Sequence, residues 1–83
     1  MYVYLVEFYV VNSHDVRFDR GAEIYDSWDK ADMAVNEFKE KHTSMGCIFD
    51  YDRGYDSEFR FVSLIDAGGD LKYHASFQRF KVK

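Results

Sequence analysis

Residues Tyr2-Val3-Tyr4-Leu5-Val6-Glu7-Phe8-Tyr9-Val10-Val11 decide the class of this fold. They are β-branched and aromatic almost throughout, the types that fit a pleated surface. The even positions Tyr2, Tyr4, Val6, Phe8 and Val10 are all apolar, whereas the odd positions admit Glu7 and Tyr9. A period of two with one fully apolar face and one mixed face describes a strand covered on one side and partly on the other, and so an interior strand of a sheet.

Working outward, Asn12 to Gly21 is polar and turn-like, with Val16-Arg17-Phe18 able to form a short edge strand. Ala22-Glu23-Ile24-Tyr25 reads as a second brief strand. The period then changes. Trp28, Ala31, Ala34, Val35 and Phe38 recur at helical spacing and make one apolar stripe, which predicts a helix over 27–42. Asp26 or Ser27 can cap it, Asp29 and Asp32 suit its positive end, and Lys39, Lys41 and His42 suit its last turn. After Gly46 the period returns to two. Cys47-Ile48-Phe49 starts a strand that runs into an acidic turn at Asp50-Tyr51-Asp52-Arg53-Gly54-Tyr55-Asp56. Phe59, Phe61, Ser63 and Ile65 alternate with Arg60, Val62 and Leu64. Ala67-Gly68-Gly69-Asp70 signals a hairpin. Leu71, Tyr73, Ala75 and Phe77 share a face of the final strand, and the alternation breaks at Gln78-Arg79, where a β-bulge is expected. The sum is an α+β domain: an antiparallel sheet of four to five strands with one helix packed on one face, in the order β(β)αβββ, spanning 1–83 as a single domain.

Eighty-three residues hold one core and no more. A domain of this size buries only roughly 60% of the surface its unfolded chain exposes. Eight Phe, seven Tyr and one Trp compensate, since each ring can remove on the order of 150–250 Å² from water. Cys47 is the sole cysteine, so no intrachain disulfide forms and the chain fits a reducing, cytoplasmic setting. No secretory leader and no membrane span is read from the sequence. The net charge of −4 is unevenly laid out. Thirteen carboxylates face six Lys or Arg up to Glu58, while five basic residues face two acidic ones from Phe59 onward. Such asymmetry favours a partner of complementary charge or a second copy of the chain.

The acidic turn holds the candidate site. Asp50, Asp52 and Asp56 alternate as calcium ligands do, but the glycine is one place early and the terminal bidentate Glu is missing, so no metal is expected. A solvated hairpin loop and a partner-contact loop are the two readings of this turn; Tyr51 and Tyr55 have no obvious place in the first. Tyrosine beside carboxylate gives rigid contact area with a polar rim, which is interface chemistry. The expected contact set is Tyr51, Asp52, Tyr55 and Asp56, with support from Asp15 and Asp19. His14, His42, His74 and Cys47 show no zinc spacing. A Cys47–His74 catalytic pair is not expected, because a thiol opening a strand beside Ile48 is more often buried and inert. Gly68-Gly69 leads into no helix and so is no phosphate cradle. The final strand interleaves Lys72, His74, Arg79, Lys81 and Lys83 with Tyr73, Phe77 and Phe80, as a single-stranded nucleic-acid platform would. Parity instead puts Tyr73 and Phe77 toward the helix and the charges toward water, as in an amphipathic edge strand. Overall acidity also opposes phosphate binding, so direct nucleic-acid binding is not expected.

The Tyr2-Val3-Tyr4-Leu5-Val6-Glu7 strand, the Ala22-Glu23-Ile24-Tyr25-Asp26-Ser27-Trp28-Asp29-Lys30-Ala31 lead into a helix and the closing strands together resemble, in layout, the small single-domain proteins of bacteriophages and mobile elements. Some of those block host defence systems, CRISPR effectors among them. The resemblance implies a stoichiometric inhibitor in the host cytoplasm, neither enzyme nor cofactor carrier, acting on a host protein or nucleoprotein complex. A homodimeric structural or regulatory protein and a small single-stranded nucleic-acid-binding domain are the alternatives.

Overall fold

The computed structural model describes residues 1–54 and 58–82. Five strands and one helix follow one another as β1 (Tyr2–Asn12), β2 (Arg17–Tyr25), α1 (Trp28–Ser44), β3 (Ile48–Arg53), β4 (Phe59–Ile65) and β5 (Leu71–Lys81). All neighbouring strands are antiparallel, in the order β2-β1-β5-β4-β3, with α1 against one face. This is the expected α+β layout with five strands.

The helix begins where the sequence supplies a cap. Ser27 has extended backbone, and its hydroxyl accepts from the Lys30 amide at 3.3 Å. The stripe Trp28, Ala31, Ala34, Val35 and Phe38 turns onto the sheet. There it meets Tyr4, Val6 and Phe8 of β1, Tyr73, Ala75 and Phe77 of β5, and Val62 and Leu64 of β4. Ala31 and Val35 are fully enclosed, and Phe77 meets Tyr4 edge to face at 5.9 Å. The small residues on α1 let the helix approach closely enough for those rings to fill the core.

Three local expectations change. Residues 12–25 form no pair of brief strands: β2 runs unbroken, and Arg20 is the extra residue of a bulge, because Phe8 opposes Gly21 while Tyr9 opposes Asp19. Gly21 beside it has a φ of 156°, a backbone conformation that glycine adopts and residues with side chains rarely do. The bulge expected at Gln78-Arg79 is absent, since β5 keeps register with both β1 and β4 through those residues. β5 is also the central strand of the sheet, not an edge. The acidic segment is extended further than expected. β3 reaches Arg53, with a register shift at Asp50. Gly54 has φ 78°, and a Cβ there would lie 2.5 Å from the Phe59 carbonyl oxygen, so this position excludes any side chain.

Candidate functional site

With α1 on one face, the other face of the sheet carries Leu5, Glu7, Tyr9 and Val11 of β1, and His74, Ser76, Gln78 and Phe80 of β5. Phe59, Phe61, Ser63 and Ile65 of β4 join them, followed by Tyr51 and Arg53 of β3. Register aligns one row across all five strands: Asp19, Tyr9, His74, Ser63 and Tyr51 are successive cross-strand partners. Ser63 is too small to fill its place. Phe61, on the same face of β4, leans in from the next row.

The result is a continuous stack. Tyr9 and His74 lie 4.9 Å apart at 27°, His74 and Phe61 5.0 Å apart at 31°, and Phe61 and Tyr51 5.5 Å apart at 30°. An arginine closes each end. Arg17 sits 3.9 Å over Tyr9 and Arg53 5.2 Å over Tyr51. Arg17 is itself held by Glu7 at 3.0 Å and Asp19 at 2.8 Å. Offset rings and flanking cations suit the ring quadrupole and order the row without a covered core above it. Apolar side chains extend the surface on both sides of the stack. Leu5, Ile24, Phe59 and Phe80 lie toward one end of the sheet and Val11, Ile48 and Ile65 toward the other, with Ile24 70% and Ile48 61% exposed.

The rings pack against one another, and a guanidinium group lies over the ring at each end. Ile24, Ile48, Phe59 and Phe80 are exposed around them. On the basic final strand, Tyr73 packs against the core, Phe77 lies within it, and Arg79 is paired with Glu58 at 2.7 Å.

The expected contact residues are distributed as follows. Tyr51 lies on the open face at the β3 edge. Asp19 lies on the same face at the β2 edge, four strand spacings or roughly 19 Å away. The stack joins them. Asp15 sits in the β1–β2 loop with φ 61°. Tyr55 and Asp56 fall outside the described residues. Asp52 points the other way, under the helix, with 2% of its side chain exposed. Arg60 donates to both of its oxygens, at 3.0 and 2.7 Å, and also reaches Asp32 at 2.7 Å, while Lys39 approaches to 3.5 Å. Burial alone would raise the Asp52 carboxyl. The hydrogen bonds and charge of Arg60 outweigh it and hold the group below the ordinary carboxylate range. Asp52 is therefore a structural anchor and not part of an outward patch with Tyr51.

His74 is the residue that reading by composition missed. It was counted among the basic groups of a water-facing edge, yet it lies at the centre of the sheet with 8% exposure. Its Nδ1 and the Oγ of its cross-strand partner Ser63 are both buried without a hydrogen-bond partner. Burial, with Lys72 second, pushes its pKa below the ordinary 6.5. The folded state therefore prefers the neutral ring, and folding stability falls as pH drops below 6.5, where the unfolded chain takes up a proton first. Replacing His74 by Phe is expected to remove that part of the pH dependence. Urea titrations of both proteins between pH 7.5 and 5 check it, within about the span over which an ordinary histidine titrates; equal slopes would contradict it.

Cys47 packs on the helix side of the sheet and His74 on the open side, so they form no pair. Burial also raises the Cys47 thiol, the reverse of what a nucleophile requires. Among the described residues no three His, Cys, Asp or Glu side chains are grouped as metal ligands, and no helix is long and apolar enough to cross a membrane. The chain matches no protein-family model, and comparison with curated proteins and with solved structures finds no match.

Proposed function

We propose that the chain is a non-enzymatic binding protein that occupies the functional surface of a macromolecular partner with the open face of its sheet. The carrying observation is the row of stacked rings that crosses four strands, β1, β5, β4 and β3, on the face the helix leaves free. Cross-strand ring pairs steady the sheet, and the contiguous aromatic and apolar surface they make on the uncovered face is of the kind that marks an interaction site. Tyr51 is the principal anchor, with Leu5, Ile24 and Phe59 as apolar contacts and Asp19 and Arg53 as charged ends. This composition, aromatic at the centre with arginine and aspartate at the ends, is that of residues enriched in protein interfaces. The layout resemblance extends the proposal to a phage-type inhibitor acting on a host defence protein or nucleoprotein in the cytoplasm.

A tagged pull-down from a bacterial host lysate, run with and without nuclease, tests the reading. The expected result is one protein retained stoichiometrically in both arms. Capture that vanishes after nuclease treatment would replace it with nucleic-acid binding.

A further inference from the structure

β2 is an edge strand built unlike the other edge. Eight of its nine residues are exposed, including Phe18 at 52% and Ile24 at 70%. Nothing pairs with its outer side among the described residues. α1 lies chiefly over β5, β1 and β4, so the helix side of β2 borders an open groove of about 570 Å³. Arg20, Glu23 and Tyr25 line it from β2, and Phe38, Lys41 and His42 from the helix. Long exposed edges are normally blunted by self-repelling charge, proline or a cover. β3 is short, broken at Asp50, and has Asp52 tied under the helix. β2 carries no proline and, among the described residues, no cover; its bulge at Arg20 leaves extended stretches on both sides, and its charges are mixed in sign.

Its charges attract a copy of themselves. Antiparallel pairing of two β2 edges about a two-fold axis keeps both helices on one side, so facing residues must lie on the same side of the sheet. The Arg20 bulge shifts the alternation: Arg17 and Asp19 share the open side with Ala22 and Ile24, while Phe18 and Arg20 share the helix side with Glu23 and Tyr25. One register then matches throughout. With the axis between Arg20 and Gly21, Arg20 lies opposite Gly21 of the copy and Phe18 opposite its Glu23, so Arg20 and Glu23 of the copy are diagonal neighbours. The two-fold axis creates this Arg20–Glu23 pair twice. Arg20 makes no ion pair within its own chain among the described residues, whereas Arg17, Arg53, Arg60 and Arg79 are each engaged.

We infer that β2 docks on β2 of a second copy, joining two sheets edge to edge and the two grooves into one channel between the helices. This interface lies on the sheet edge, not on the open face, and its test requires no partner protein. Sedimentation of the purified chain under reducing conditions, across the micromolar to millimolar range, is expected to show a reversible monomer–dimer equilibrium. Arg20→Glu alone and Glu23→Arg alone each bring like charges together and weaken it by about tenfold or more. Mixing the two variants restores association, because each then supplies the charge the other lacks, and R20E/E23R associates like the parent. Both positions are exposed, and circular dichroism verifies that the variants remain folded. A chain that stays monomeric over the whole range would overturn the inference. So would a dimer indifferent to both single changes, or single losses that neither mixing nor the double exchange repairs.

Discussion

Arg60→Ala is expected to lower the stability of this domain by about 3–5 kcal/mol, a large fraction of the about 5–15 kcal/mol that holds a domain folded. The magnitude comes from what is left behind. Arg60 is 4% exposed, and it neutralises Asp52, whose side chain is 2% exposed, while tying β4 to β3 and, through Asp32, to the helix. Removing the guanidinium strands the Asp52 carboxylate without water and with only Lys39 at 3.5 Å. An isolated buried charge costs more than the pair contributes, so R60M/D52L is expected to recover most of the loss. Urea denaturation of the three proteins checks the order. A single variant close to the parent, or a double variant worse than R60A, would refute it. The pair also has a pH signature. The Asp52 pKa is lowered, so its contribution is complete above the ordinary value of 3.8 and is lost as pH falls through the lower value of the folded state. R60M/D52L should lack that acid-side decline.

The second large effect falls on binding. Tyr51→Ala is expected to weaken partner affinity about 30-fold or more, equivalent to about 2 kcal/mol, the scale of an interface anchor. Tyr51 stands at the outer end of the ring row, touching Phe61 on one side and Arg53 on the other, so its removal takes contact area from the face without opening the core. Met45→Ala, on the far side of the molecule beside the helix end, should leave affinity unchanged. Calorimetric titration of the retained partner into each variant measures both. Equal affinity for Tyr51→Ala and the parent would remove Tyr51 from the interface.

How much of this is legible in the sequence depends on whether a feature is local. The apolar stripe from Trp28 to Phe38 and the Ser27 cap dictate α1 by themselves, and alternation in 2–11 and 59–65 dictates β1 and β4. β2 is concealed by Gly21 and by charges at Arg17, Asp19, Arg20 and Glu23, because an edge strand exposed on both sides shows no alternation. The irregular parity near Gln78 gave a false bulge: β5 has Phe80 on the open face with Gln78, so an apolar residue there needs no change of register. The buried pair has a readable signal in the sequence. Arg60 alternates with Val62 and Leu64 on an apolar face, and a charge in that position demands a buried counter-charge. The ring row had none. Tyr9, Tyr51, Phe61 and His74 meet only through the register of four strands, which no local pattern states.

The central claim is that the open face, and not the helix side, meets the partner. Methyl cross-saturation on the complex tests it most directly: the partner is irradiated and intensity loss is read on the labelled chain. The account predicts losses at Leu5, Val11, Ile24, Ile48 and Ile65, which share the open face or its rim, and retention at Met33, Met45 and Ala34 on the helix. Losses confined to the helix methyls, with the open-face methyls untouched, would contradict it.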